Sequence, residues 1–108
     1  MNPGDIMERV YEIPNEKKQD AKKILEEDPY AEDSFARVGY KLRDGKALEE
    51  DEKKTYIYIS APDDFIKKAD EKLKDVAEIL EGDKAKNIIE KIQKEEESVG
   101  SGIAKFFG

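Results

Sequence analysis

The stretch Thr55-Tyr56-Ile57-Tyr58-Ile59-Ser60 changes side-chain character at every step and contains nothing that breaks a strand. A period of two, built from β-branched and aromatic residues, predicts a β-strand with Ile57 and Ile59 on one face and Tyr56 and Tyr58 on the other. A lone strand is not stable in water, so this run commits the chain to a sheet and to finding partners for it. The nearest partner lies upstream, where Ala36, Val38, Tyr40 and Leu42 share one face and Arg37, Gly39 and Lys41 share the other. Arg43-Asp44-Gly45-Lys46 reads as a turn, because Asp-Gly is a favoured pair where φ becomes positive. These two strands are expected to pair antiparallel across a charged connection, residues 47–54. A third strand over residues 7–13 ends at Pro14, which has no N–H to give to a ladder.

Between and after the strands the apolar period lengthens to that of helices. Asn15 suits an N-cap and Glu16 the first turn, with Ala21, Ile24 and Leu25 on one face of a helix reaching about Glu27. Asp28-Pro29 stops it, since the residue before proline is pushed out of the α region. Pro62 fits the first helical position, and Asp63 and Asp64 complement the helix dipole. Phe65, Ile66, Ala69, Leu73, Val76, Ala77 and Leu80 then hold one stripe, which predicts a single helix of about five turns. Gly82 ends it and Asp83 caps the next helix, whose stripe is Ala85, Ile88, Ile89 and Ile92 and which fades in Glu95-Glu96-Glu97.

The resulting order is β-α-β-β-α-α. It predicts a two-layer α+β domain over residues 1–97, with a three-stranded, mostly antiparallel sheet and helices on one face. Residues 98–108 follow as a tail jointed by Gly100-Ser101-Gly102. A chain of 108 residues is one domain's worth.

Composition narrows the chemistry. There is no Cys and no His, which removes disulfides, thiolate metal sites, the thiol nucleophile and the usual general base. The hydroxyls of Ser34, Thr55, Ser60, Ser98 and Ser101 therefore lack their common activator, and no phosphate-cradling glycine pattern occurs. The expectation is a protein that is not an enzyme. Charged residues make up 44% of the chain and leave a net charge of −7, which argues against nucleic acid as a general partner. No apolar run approaches the roughly 20 residues of a membrane span, and the start does not read as a signal peptide, so a cytoplasmic address is expected. Lys and Glu dominate the charge and Ile outnumbers Leu eleven to five, a bias characteristic of thermophile surfaces.

Three features stand out as candidate sites. The first is the tail, where Ile103, Phe106 and Phe107 gather three large apolar side chains at a chain end. Such residues are expected to dock, either back on a lean core or on a partner. Their spacing resembles the sliding-clamp-binding peptide, the PIP box, in which a Gln, an aliphatic and two aromatic residues recur. In that resemblance Ile103 is the aliphatic position, Phe106 and Phe107 are the aromatic pair, and Gly100 stands where the Gln would be. It implies that the three apolar side chains form one helical turn and plug an apolar pocket on a sliding clamp.

The second feature is acidic. Glu26, Glu27, Asp28, Glu32 and Asp33 flank the end of the first helix, and Glu49, Glu50, Asp51 and Glu52 lie in the hairpin connection. Carboxylates with nearby carbonyls suit Ca²⁺ or Mg²⁺, although neither run has EF-hand spacing. Consecutive acids on a solvated surface are the ordinary alternative. The third is the face carrying Tyr56 and Tyr58 beside Arg37, Gly39 and Lys41, which is open if helices cover only the Ile57 and Ile59 side. Aromatics and cations on an open sheet suit a protein partner or stacked single-stranded RNA, though no RNP signature accompanies them.

Residues Tyr56 to Lys74 also resemble small archaeal α+β proteins, which implies a fold and a source but no activity. Taken together, the sequence reads as a non-catalytic acidic domain that binds a protein partner through Ile103, Phe106 and Phe107, with Tyr56 and Tyr58 as a second surface. Divalent-cation binding by the acidic clusters is the alternative.

Overall fold

The computed structural model of the chain describes residues 6–27 and 34–107, with side chains described as far as Glu96. Strand β1 (Ile6–Pro14) leads through a 3₁₀ turn (Asn15–Lys17) into helix α1 (Lys18–Glu26). A short helix α2 (Phe35–Val38) precedes strand β2 (Lys41–Asp44), and strand β3 (Lys54–Pro62) runs directly into helix α3 (Asp63–Leu73). Strand β4 (Glu78–Leu80) and helix α4 (Gly82–Phe107) complete the order. The architecture is α+β with an antiparallel sheet. The sheet has four strands in the order β2-β3-β1-β4, one more than the three expected.

The extra strand comes from the stripe that suggested one long helix. α3 stops at Leu73, whose carbonyl accepts from the N–H groups of both Val76 (3.1 Å) and Ala77 (2.8 Å), closing the helix in a tight turn. Glu78–Leu80 then pair with Val10–Glu12 of β1. The helical spacing from Leu73 to Leu80 is real but serves two destinations. Val76 and Ala77 pack with the α3 core, whereas Leu80 points to the other side of the sheet.

The second departure lies at residues 36–42. Ser34 caps α2 by accepting from the Arg37 N–H at 3.2 Å, and Phe35 turns inward to meet Phe65 edge-on at 5.3 Å. α2 ends at Gly39, and β2 begins two residues later. Ala36, placed on a buried strand face by its spacing, is exposed. Capping plus burial of one aromatic ring outweighs a period-two pattern only a few residues long.

β1 and β3 form the centre of the sheet, with Tyr11 opposite Ile57 and Val10 opposite Tyr58. Their alternation divides the apolar side chains into two cores. On one face Tyr11, Ile13, Ile57 and Ile59 pack against Ala21 and Leu25 of α1 and Ile66, Ala69 and Leu73 of α3. On the other, Val10, Tyr56, Tyr58 and Leu80 pack against Leu48 and against Ile88 and Ile92 of α4. Helices thus contribute to both faces, not to one. Both tyrosines of the alternating run are inside, Tyr56 at 1% and Tyr58 at 8% exposure. Among the described residues no helix is long and apolar enough to cross a membrane.

Candidate functional site

The ground under α4 is the most chemically furnished part of the molecule. Because strand side chains alternate, β1 brings Glu8, Val10 and Glu12 to the face that also holds Tyr56 and Tyr58. Tyr56 donates its hydroxyl to Glu12 Oε2 at 3.0 Å, and Tyr58 donates to Glu8. Burial first, then the hydrogen bond to Glu8, pushes the Tyr58 hydroxyl up to about 12. Burial and Glu12 raise Tyr56 as well. Both phenols are thereby favoured in the neutral form, in which they donate to these carboxylates.

Four ion pairs run across or beside this face. Lys84 of α4 lies 3.4 Å from Glu12, and Glu95 accepts from Arg43 Nε at 3.0 Å. Lys91 contacts Glu50 and Glu96 contacts Lys41. The Lys41 ammonium also stands 5.7 Å from the centre of the Tyr58 ring. The open aromatic surface expected at Tyr56 and Tyr58 is therefore a largely covered one. Arg37, expected beside the tyrosines, sits in α2, whereas Gly39 at the end of α2 lines a cleft with Lys41 and Tyr58.

A second polar group lies on the opposite face. Tyr11 donates to Asp70 Oδ1 at 2.6 Å while Arg9 holds Oδ2 at 3.0 Å. Burial and Asp70 raise the Tyr11 hydroxyl. Nothing in the local sequence pairs these three residues; the signal available was an Arg and a Tyr two apart on one strand face, together with an Asp within the α3 stripe.

The acidic clusters are only partly within view. Glu26 and Glu27 are exposed at the end of α1, whereas Asp28, Glu32 and Asp33 lie outside the described residues. The hairpin run is described and is spread along a turn. Glu49 takes a positive φ of 58°, Glu50 faces Lys91, and Asp51 accepts from the Lys53 N–H at 2.9 Å. The Glu52 carbonyl accepts from the Asn15 side chain at 2.8 Å. Gly45 is required here by close approach rather than by positive φ, since a Cβ would sit 1.8 Å from the Asp51 carbonyl oxygen. Among the described residues no three acidic side chains gather in a way that could hold a metal ion.

Beside that turn lies an open cleft of about 850 Å³ where the 3₁₀ turn meets the hairpin. Its lining includes four lysines and four acids, so it offers no net charge to an ion. Lys18 pairs with Asp44 at 2.6 Å and its hydrogen bond holds the Asp44 carboxyl below its usual range. The buried Thr55 hydroxyl donates to Asn15 Oδ1 at 2.7 Å. These contacts, with the Thr55 hydroxyl also 3.4 Å from Asp44 Oδ1, fasten the hairpin to the start of α1.

Ile103, Phe106 and Phe107 fall in the part of α4 whose side chains lie outside the described residues. The helix itself continues past Glu95-Glu96-Glu97 to Phe107. Comparison of the chain with protein-family models, with curated proteins and with solved structures finds no match.

Proposed function

We propose that this is a non-catalytic binding domain whose partner is a protein gripped by the last turns of α4, through Ile103, Phe106 and Phe107. One observation carries the reading. Helix α4 runs on to Phe107, so Ile103, Phe106 and Phe107 all belong to one continuous helix. One aliphatic and two aromatic residues at spacing 1, 4 and 5 match the anchor spacing that helix-in-groove recognition uses. A sliding clamp is the partner suggested by the PIP-box resemblance, with Gly100 in the Gln position lowering the number of hydrogen bonds available.

The test compares wild type with Phe106→Ala/Phe107→Ala as baits in a pull-down, with thermal melting of both. A protein retained only by wild type, with melting unchanged, supports the reading, and recovery of a sliding clamp identifies the partner. Equal recovery by both baits, or a lower melting point in the variant, overturns it and assigns the tail to the domain's own core.

A further inference from the structure

We infer that α4 is a hinged cover, which lifts off the tyrosine face about Gly82 while the rest of the domain stays folded. This goes beyond the proposed tail contact and stands whether or not that reading holds.

The argument starts from what α4 contributes. Its fully buried side chains among the described residues are Ile88 and Ile92, with Ala85 and Ile89 partly buried beside them. The opposite face is closed by three helices and two interlocked phenyl rings. Among the described residues, what else holds α4 is mostly electrostatic: Lys84, Lys91, Glu95 and Glu96 each reach an opposite charge, and these side chains are about a third exposed or more. Ion pairs so placed contribute little and are screened by salt. The docked state also carries a cost, because Glu95 Oε2 is buried without a hydrogen-bond partner among the described residues.

The face beneath is prepared to lose its cover. Its hydroxyls and carboxylates satisfy one another within the sheet, Tyr56 with Glu12 and Tyr58 with Glu8. Lifting α4 breaks the Lys84–Glu12, Arg43–Glu95 and Lys41–Glu96 pairs, and the charges left on the sheet are then met by water. Among the described residues, the apolar groups that newly meet water are Val10, Leu48, Leu80 and the two tyrosine rings. The connection permits the movement as well. Glu81 is the single residue between β4 and α4, and Gly82 follows with φ +64° and open space where a Cβ would be.

The absence of cysteine makes the test direct, since one introduced thiol is a unique probe. Val10→Cys sits fully buried under α4, and Ala69→Cys sits equally buried on the inward side of α3, over the other face of the sheet. Thiol labelling under native conditions is expected to be at least about tenfold faster at position 10 than at position 69. That excess should grow between about 0.05 and 0.5 M NaCl as the ion pairs are screened. Labelling at position 10 should depend weakly on low urea and at position 69 steeply, because a small opening exposes less surface than global unfolding. Adding Gly82→Ala strains the positive φ without a steric clash and should speed labelling at position 10 about tenfold, if the strain is released on opening. Equal rates at the two positions with equal urea dependence would overturn the cover. An unchanged rate in Gly82→Ala would overturn the hinge. Amide exchange of wild-type α4 against β3 reads the same opening without any substitution: exchange of α4 at the global rate counts against it.

Discussion

Replacing Ile92 with Ala tests whether α4 covers the second face of the sheet. Ile92 is fully buried among Val10, Tyr56, Tyr58 and Leu80. The substitution removes three carbons, worth about 2.4 kcal/mol at roughly 0.8 kcal/mol each. The cavity left behind adds to this, for a total of about 3 kcal/mol. Against a whole-domain stability of about 5–15 kcal/mol that is a large fraction. With a urea slope of about 1–1.5 kcal/mol/M for a chain this short, the unfolding midpoint should fall by about 2 M. Ile6→Ala serves as the control, because Ile6 is 63% exposed and its loss should shift stability by less than about 0.5 kcal/mol. Urea unfolding followed by circular dichroism measures both. An Ile92→Ala midpoint indistinguishable from that of Ile6→Ala would refute the reasoning and return all the helices to one side of the sheet.

Alkaline pH should weaken the fold between about 10 and 12, because the Tyr58 hydroxyl is raised from 10.0 to about 12 in the folded chain. A raised value favours the neutral phenol when folded, so its contribution is complete below pH 10 and is lost as pH climbs through 12. Urea midpoints across that range should fall less steeply in Tyr58→Phe than in wild type, and an identical slope would count against the buried pair. Gly45→Ala should lower the melting point by several degrees, since its Cβ meets the Asp51 carbonyl oxygen at 1.8 Å and overpacking costs about 1–3 kcal/mol. Calcium titration followed by amide shifts should leave residues 49–52 without a saturable response up to millimolar, given that Glu50 is taken by Lys91 and Asp51 by its own turn. Localised, saturable shifts there would restore the metal reading.

The strands whose alternation is long and made of β-branched and aromatic residues were legible, and Thr55–Ser60 falls wholly inside β3. So were the stop at Pro14 and the start of a helix after Pro62. What misled was periodicity shared between structures. Leu73, Val76, Ala77 and Leu80 keep helical spacing, yet long-range pairing with Val10–Glu12 claims the last of them. Ala36, Val38, Tyr40 and Leu42 keep strand spacing, yet Ser34 offers a cap and Phe35 a buried ring that spacing does not count. The candidate tyrosines were the right residues with the wrong exposure. Their burial depends on which face α4 takes, and Ile88 and Ile92 are equally suited to either face. Tyr56 with Glu12 and Tyr11 with Asp70 were invisible because each pair joins residues more than forty positions apart.

The central ladder between β1 and β3 has a consequence for how the chain is born. Asn15 and Thr55, at its closed end, are 40 residues apart, and the ladder finishes where Ile6 meets Pro62. Contacts of such separation slow the search for the native state relative to a helical bundle of the same size. During synthesis the first strand therefore waits, with its apolar residues uncommitted, until the chain beyond Pro62 has cleared the ribosome. Only then can β1 be enclosed, first by β3 and last by the three-residue β4. The highly charged segments that separate these strands keep the waiting chain soluble, so the same lysines and glutamates that ornament the finished surface also guard the unfinished one.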